Sequence, residues 1–224
     1  MPAAPLWLGA LAGGALLIAW ALAAHLASLG ALPEPAAIAL GLLPFALAIG
    51  LLPPRAGTVP LRLPLSVLAV ALVAALWSRL SAHVSLLYYL EHLGIHLALA
   101  VLFGRTLFGG GDALVTRFAR TLHADRPLSD LHLRYTRQVT AAWALFFVAN
   151  ASISTLLYLL TSWSQWSLYA NLLTGPLVAL VFVIEYFIRR QILPADERPS
   201  FIDAIRAYRQ HSAATTPATR YPHE

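Results

Sequence analysis

The densest group of ionisable side chains in this 224-residue sequence lies within an apolar stretch, in the segment YYLEHLGIH. On a helix, Tyr88, His92 and His96 fall at i, i+4 and i+8 and share one face, with Glu91 on its flank. Ionisable groups inside a membrane helix cost free energy, so they are the first place to look for function. Two histidines one turn apart can bind a metal ion, lie beside a haem or take part in a proton path.

A structural interpretation competes with the functional one. Glu91 and His92 fall in the outer third of the stretch, where they could reach the membrane interface or bond a neighbouring helix. A metal site would need a third ligand, and His25 and Asn150 are the polar residues at a suitable depth. The spacing H-x-x-x-H is a weak signal by itself. It leaves the identity of any metal unknown, and the sequence indicates no cofactor.

Two further polar features lie in the last apolar stretch. Asn171 and Thr174 precede Pro176, which removes a backbone hydrogen bond and frees a carbonyl one turn earlier. Such a polar kink could line a cavity, or neighbouring side chains could satisfy it. Glu185 lies four residues before Arg189, a spacing that predicts an ion pair across one helical turn.

The elements that carry these residues are predicted from composition. With 59% hydrophobic and 11% charged residues, the chain is more apolar than a soluble domain. Six apolar stretches approach the roughly 20 residues needed to cross a bilayer core; they cover residues 6–29, 36–52, 63–80, 84–103, 139–160 and 168–187. We therefore predict an all-α, polytopic transmembrane helical bundle of about six spans within residues 1–190. The absence of cysteine excludes disulfides, thiolate metal ligands and cysteine nucleophiles.

The distribution of arginine predicts the orientation of this bundle. Fourteen of the fifteen arginines fall on the tail and on one alternating set of connectors, and such an excess marks the cytoplasmic side. Both termini, an Arg-rich loop over residues 104–138 and a tail over residues 191–224 are thus predicted to be cytoplasmic, with residues 211–224 disordered. Because every basic residue is Arg while Ala and Leu dominate, we expect a GC-rich bacterial source and the bacterial inner (cytoplasmic) membrane. Orientation explains the net charge of +5, so no nucleic-acid partner is expected.

Two cytoplasmic segments are predicted to form short amphipathic helices. In the segment DALVTRFARTLH, Leu114, Phe118 and Leu122 form a stripe at i, i+4 and i+8, while the arginines face away from it. This pattern favours a helix on the membrane surface. In the tail, residues 200–209 show a similar stripe after a capping-box-like S-x-x-D.

Two glycine motifs are interpreted as structural. Gly9 and Gly13 form a G-x-x-x-G motif, which permits close helix packing within the chain or between copies and leaves the oligomeric state unknown. The GGGD run at residues 109–112 lacks the preceding strand and the lysine of a phosphate-binding P-loop. It is therefore interpreted as a flexible turn that leads into the surface helix.

Two segments, RYTRQVTAAWALFF at residues 134–147 and WSLYANLLTGPLVALVFVIEYFIRR at residues 166–190, carry a family resemblance. Together with LFGRTL at residues 102–107, they resemble a family of uncharacterised bacterial inner-membrane proteins that accompany aryl-polyene and xanthomonadin-type fatty-acid biosynthesis genes. The resemblance covers roughly residues 84–194. It implies a role beside acyl carrier protein, acyltransferases and lipid exporters, and it supplies no catalytic residues.

The first functional hypothesis is a non-catalytic accessory or scaffold subunit that docks an acidic cytoplasmic partner, such as acyl carrier protein, in lipid or aryl-polyene-type biosynthesis or export. Clustered guanidinium groups steer and pair with carboxylates or phosphates. The predicted docking surface, called the arginine surface below, consists of Arg105, Arg117, Arg120, Arg134 and Arg137. Alternatively, these residues only set the topology and touch anionic lipid.

Two other classes of function are weighed against this hypothesis. A transporter or lipid flippase component would line a passage with Asn150, Ser152, Ser154, Asn171 and Thr174. The three residues of the fifth stretch alternate at i, i+2 and i+4, so they cannot all face one cavity. A metal- or haem-dependent membrane enzyme, built on Glu91, His92 and His96, ranks last.

Overall fold

The computed structural model describes residues 6–50, 62–122, 127–194 and 197, and all of the secondary structure in these ranges is helical. The helices are α1 (Leu6–Ser28), α2 (Glu34–Gly50), α3 (Arg62–Ala82), α4 (Val84–Gly104), α5 (Leu114–Leu122), α6 (Asp130–Leu160), α7 (Trp163–Ser167) and α8 (Thr174–Ile192). A 3-10 turn, Arg105–Leu107, follows α4, and a π-helical segment, Leu168–Leu173, joins α7 to α8. The predicted all-α class is confirmed for this part of the chain.

Five helical stretches are long and apolar enough to cross a membrane: Leu11–Ser28, Leu63–Ala82, Val84–Leu107, Asp130–Leu160 and Trp163–Ile192. Their length and composition are those of a multi-pass membrane protein. Helix α2 is shorter, with 17 residues. Pro33 immediately precedes its first residue, and Pro35 lies in its first turn, where a proline is tolerated.

Helix α6 begins well before the apolar stretch that predicted it. Its first residue is Asp130, whereas the predicted span began at residue 139. The Ser129 hydroxyl accepts a hydrogen bond from the His132 backbone N–H (3.1 Å), as an N-cap residue does, and Asp130 lies in the first turn where the helix dipole favours negative charge. Arg134 and Arg137 of the predicted loop are therefore helical.

The predicted amphipathic helix of the Arg-rich loop is present as α5. The face that it packs against the protein carries its small residues, not the predicted apolar stripe. Thr116 and Ala119 are buried, and the Thr116 and Thr136 hydroxyls lie 2.8 Å apart, so this face packs on α6. Phe118, in the middle of the predicted stripe, is 62% exposed. The second predicted amphipathic segment, residues 200–209, and the predicted disordered residues 211–224 lie outside the described ranges.

The described helices form two compact units, Met1–Leu97 with Ala149–Val178, and Ala98–Val148 with Ala179–Glu224. The core of the first unit combines small residues with two large aromatic ones: Ala24, Ala27, Ala37, Ala170, Tyr88 and Trp166. Small residues let membrane helices approach closely. In the second unit Trp143 is central, with ring centroids 4.7 Å from Phe182 and 5.6 Å from Phe147.

Close helix approach is visible at Gly41 of α2. A Cβ atom at this position would lie 3.3 Å from Leu87 Cδ2 and 3.4 Å from Tyr88 Cζ, both in α4. The Tyr88 hydroxyl donates a hydrogen bond to the Ala37 carbonyl (2.8 Å), which fastens the same two helices. By contrast, a Cβ at Gly9 or Gly13 would meet nothing within 4 Å, so the G-x-x-x-G motif makes no close helix contact in the described part of the chain.

The replacement Gly41→Val is expected to lower the stability of the protein. Two added methyl groups would meet the side chains of Leu87 and Tyr88, and overpacking of this kind costs about 1–3 kcal/mol. Thermal unfolding in a mild detergent measures the effect. Gly14→Val is the matched control, because a Cβ there meets nothing within 4 Å. Equal losses of Tm in the two variants would contradict the assignment of Gly41 to a helix contact.

Candidate functional site

The predicted cluster in α4 is buried in the first unit. Tyr88 is 3% exposed, Glu91 5% and His96 5%. Tyr88 is committed to packing, because its hydroxyl donates to the Ala37 carbonyl at 2.8 Å. The remaining members, Glu91, His92 and His96, are the side chains of the cluster that can bind a metal ion or transfer a proton.

The two histidine rings are neighbours, with centroids 4.2 Å apart. His96 Nδ1 lies 2.7 Å from the His92 carbonyl, and a carbonyl only accepts, so this nitrogen carries a hydrogen. His92 Nε2 lies 3.2 Å from the Thr174 hydroxyl, which itself donates to the Tyr169 carbonyl (3.1 Å). The hydroxyl therefore accepts from Nε2–H, and Nδ1 of His92 carries the lone pair.

Nδ1 of His92 is buried and has no hydrogen-bond partner in the part of the chain that the structure describes. Unsatisfied polar groups are rare in protein interiors, and each one needs a reason. This nitrogen is consequently the strongest chemical feature of α4. The carboxyl group of the neighbouring Glu91 makes no hydrogen bond or ion pair with any described residue, and its oxygen atoms are not fully buried.

A third metal ligand is missing from this cluster. Among residues 6–50, 62–122, 127–194 and 197, no three His, Cys, Asp or Glu residues are placed to hold a metal ion. His25, one of the two predicted third ligands, lies 2.7 Å from the Ser167 hydroxyl through Nδ1. The other, Asn150, accepts a hydrogen bond from the Tyr169 hydroxyl (2.8 Å).

A second polar cluster, here called the serine cluster, consists of His25, Ser28, Ser167 and Asn171. Ser167 is 0% exposed, and its hydroxyl lies 2.7 Å from His25 Nδ1, 2.5 Å from the Ser28 hydroxyl and 3.1 Å from the Asn171 side-chain nitrogen. Trp163 closes the group by donating its indole N–H to the Ser28 carbonyl. Our sequence reasoning named His25 and Asn171 separately and missed both serines. A signal existed, since Ser28 ends the first apolar stretch, Ser167 precedes the sixth, and these ends are predicted to share one side.

A serine bonded to a histidine is the arrangement used in nucleophilic catalysis. Here the Ser167 hydroxyl has no exposed surface and is shared among three partners. No substrate carbonyl can approach it without displacing those contacts. The serine cluster is therefore suited to joining α1 to the segment before α8, as interhelical hydrogen bonds do in membrane proteins.

The predicted polar kink takes the form of the π-helical segment Leu168–Leu173. The Thr174 backbone N–H bonds to the Tyr169 carbonyl, five residues back, and Pro176 follows closely. Local π geometry is one way in which a membrane helix accommodates a proline. The side chains of Asn171 and Thr174 are both hydrogen-bonded, Asn171 to the Ser167 hydroxyl and Thr174 to the Tyr169 carbonyl.

The polar residues of the fifth stretch do not share a face. Asn150 and Ser154 are buried, and Ser154 accepts from the Trp166 indole N–H (3.0 Å). Ser152, between them, is exposed. These side chains join helices in the first unit, and no passage is lined by the three together.

The second unit contains the predicted ion pair. Arg189 Nε lies 3.6 Å from Glu185 Oε1, which confirms the pairing inferred from the i, i+4 spacing. The same carboxylate accepts from the Tyr135 hydroxyl (2.9 Å), a contact that the sequence did not predict. Tyr135 and Glu185 line an open, mainly apolar groove between α6 and α8, with a volume of about 260 Å³.

A further carboxylate joins the chain after α8 to the start of α6. Glu197 Oε2 accepts from the Ser129 hydroxyl (2.7 Å) and lies 3.2 Å from His132 Nδ1. His132 is 2% exposed. This contact, which the sequence did not indicate, fixes the chain after α8 beside the start of α6.

The arginine surface lies entirely in the second unit, and all five of its members are exposed: Arg105, Arg117, Arg120, Arg134 and Arg137. Arg120 pairs with Asp112 (2.6 Å), and Arg137 donates to the Leu107 carbonyl (2.6 Å). Within the described ranges, the guanidinium groups of Arg105 and Arg134 have no hydrogen-bond or ion-pair partner. Most of the positive charge is therefore available to an outside molecule.

No protein-family model, curated protein or solved structure matches this chain. The site residues are accordingly interpreted from geometry and chemistry alone. On that basis the molecule has two features of interest, a buried polar interior in the first unit and an exposed cationic surface in the second.

The replacement Ser167→Ala is expected to destabilise the protein by about 1–2 kcal/mol, because the buried Ser28 and the half-buried His25 and Asn171 lose a shared partner. Equilibrium unfolding in mixed micelles measures the free energy. Ser164→Ala, at an exposed position of the same short helix, should change it by less than about 0.5 kcal/mol. If the two variants were equally stable, the serine cluster would have no role in holding the helices together.

Proposed function

We propose that this chain is a six-span bacterial inner-membrane protein with both termini in the cytoplasm, and that it acts as a non-catalytic accessory subunit. In this proposal the arginine surface holds an acidic cytoplasmic partner at the membrane. The partner's class is that of acyl carrier protein, in lipid or aryl-polyene-type biosynthesis or export.

The topology is supported by the helix lengths together with the charge distribution. Five stretches have the length of a membrane crossing, and α2, with 17 mostly apolar residues, is at the lower limit of that length. Counting α2 as a crossing places fourteen of fifteen arginines on one side. Counting it as a surface helix would leave the same fourteen on one side, so the positive-inside rule makes that side cytoplasmic, and the crossing by α2, which puts the N-terminus there too, is argued from its length and apolarity.

The docking role depends on one observation, the exposure of all five guanidinium groups of the arginine surface. Residues 105–137 contain six Arg and three Asp, an excess of three positive charges, and one of those carboxylates is already paired with Arg120. Such a surface attracts an acidic protein and orients it on approach. Exposed arginines can also form bidentate contacts with carboxylates and phosphates.

The class of partner comes from the family resemblance of residues 84–194. Proteins of that family accompany genes for fatty-acid-like synthesis, in which the growing chain is carried on a small acidic protein. A membrane subunit with a cationic cytoplasmic face would suit the delivery of such a carrier to enzymes or exporters at the bilayer.

The other two classes of function have weaker support. A transporter would need polar side chains with unsatisfied groups facing a passage, whereas Asn150, Ser154 and Thr174 are hydrogen-bonded to neighbouring groups. A metal- or haem-dependent enzyme has in its favour the unpartnered His92 Nδ1 beside His96, and it lacks a third ligand among the described residues.

Reporter fusions test the topology. Alkaline phosphatase, active only outside the cytoplasm, should be active after Ala31 and inactive after Ala56, Leu122 and Glu224, while green fluorescent protein should give the opposite pattern. The Ala31 and Ala56 fusions decide whether α2 crosses the membrane. If Leu122 and Glu224 lay on opposite sides, the two crossings proposed between them, α6 and α8, would be refuted. The cytoplasmic docking surface would be refuted with them.

The double variant Arg120→Glu/Arg134→Glu is expected to lower recovery of acyl carrier protein on nanodiscs carrying the full chain by about tenfold or more, since reversed interface charges repel an acidic partner. Recovery from wild type should also fall at high salt. Arg79→Glu is the matched control, because Arg79 is equally exposed and lies outside the arginine surface. Unchanged recovery with the double variant would defeat the docking role.

A further inference from the structure

A polar cleft of about 250 Å³ opens in the second unit between the 3-10 turn after α4 and the start of α5. Its lining residues come from two short segments and include two arginines: Arg105, Thr106, Phe108, Gly109, Gly111 and Arg117. The cleft therefore lies within the arginine surface and contains two of its five arginines.

The charge of the cleft is positive and locally uncompensated. Asp112 is the carboxylate next to it in the chain, and its side chain pairs with Arg120 at 2.6 Å, outside the lining. The Arg117 Nε atom donates to the Asp112 carbonyl (3.0 Å), which fixes the direction of that guanidinium. In the described ranges neither the Arg105 guanidinium nor the Nη groups of Arg117 have a partner. Two guanidinium groups with free donors that line the same cleft suit a phosphate.

The backbone around the cleft is shaped by glycine and held by threonine. Gly109 and Gly110 have φ angles of 128° and 71°, in the left-handed region that other residues rarely adopt. The first amide groups of α5 are already used, because Leu114 N–H donates to the Thr106 hydroxyl (3.0 Å) and Val115 N–H to the Thr140 hydroxyl (3.2 Å). A bound anion would therefore be held by the arginines rather than by the helix terminus.

Two exposed aromatic side chains indicate where this cleft lies relative to lipid. Phe108, which lines the cleft, is 81% exposed, and Phe118 on α5 is 62% exposed. The membrane-spanning stretch Val84–Leu107 ends directly before Phe108. Exposed phenylalanines beside arginines, at the end of a span and on a short amphipathic helix, suit the boundary between phospholipid headgroups and acyl chains.

We propose that the cleft binds the phosphate group of an anionic phospholipid headgroup. In this arrangement Arg105 and Arg117 contact the phosphate oxygens, and Phe108 lies against the upper part of the acyl chains. The bound lipid would fix the Gly109–Gly111 turn and α5 at the bilayer surface. The lipid would take two of the five arginines of the arginine surface and leave Arg120, Arg134 and Arg137 to the acidic partner, and its binding does not require that partner.

Native mass spectrometry of the full chain in a non-ionic detergent, with added phosphatidylglycerol or phosphatidylcholine, tests the proposal. Wild type should retain phosphatidylglycerol in preference, and Arg105→Gln/Arg117→Gln should lower that retention at least fivefold. Arg134→Gln is the matched control, because this arginine is exposed and lies outside the cleft; it should retain wild-type binding. An equal loss in the control would overturn the site in favour of diffuse surface charge.

A second variant and a competitor separate lipid from free phosphate. Phe108→Ser keeps both arginines, and it should lower phosphatidylglycerol retention by several fold while the Tm of the protein stays unchanged. Inorganic phosphate at millimolar concentration should displace little of the lipid. Full displacement by inorganic phosphate, or unaltered retention in Phe108→Ser, would overturn the lipid as the source of the phosphate group.

Discussion

The constraint on which the whole structure depends is the absence of hydrogen-bonding partners in hydrocarbon. Every backbone N–H and C=O within the bilayer must be satisfied by the chain itself, which selects helices and makes long apolar stretches the dominant feature of the sequence. The same constraint governs the side chains. Ser167, Ser154 and Asn150 are buried and Thr174 is half-buried, and each is bonded to another helical segment. What holds the helices together is thus a set of small contacts and interhelical hydrogen bonds, because apolar burial alone does not distinguish a neighbouring helix from lipid.

The constraint also explains why Glu91 and His92 stand out. A buried imidazole nitrogen without a partner among the described residues is costly to keep, and a carboxylic residue that is 5% exposed lies beside it. The rest of the cluster provides the setting for them: Tyr88 is tied to Ala37, and His92 is oriented by Thr174. In the second unit Tyr135 donates to Glu185, which pairs with Arg189 beside an open groove.

Sequence patterns predicted the features that depend on a single helix. The apolar stretches gave the helices, and the spacing of Glu185 and Arg189 gave their ion pair, because both are properties of one segment. Contacts between distant segments could not be obtained in this way. Ser28 and Ser167 are unremarkable singly, and their meeting depends on how α1 lies against the segment before α8. The start of α6 was not predicted for another reason. Ser129 and Asp130 begin the helix by capping, and these polar residues do not belong to an apolar stretch. Likewise, the break expected at Gly175 and Pro176 became a π-helical segment because the chain adjusted before the proline.

The contact between Glu197 and the first turn of α6 has a consequence for everything that is encoded after it. Glu197 is bonded to Ser129 and His132, so the remaining 27 residues of the 224-residue chain start from an anchored point. Chain geometry allows at most about 3.5 Å per residue, so the next few residues cannot leave that neighbourhood. A tethered segment reaches a nearby target at a far higher effective concentration than a free one. A group attached directly after Glu197 would therefore be held close to the beginning of α6.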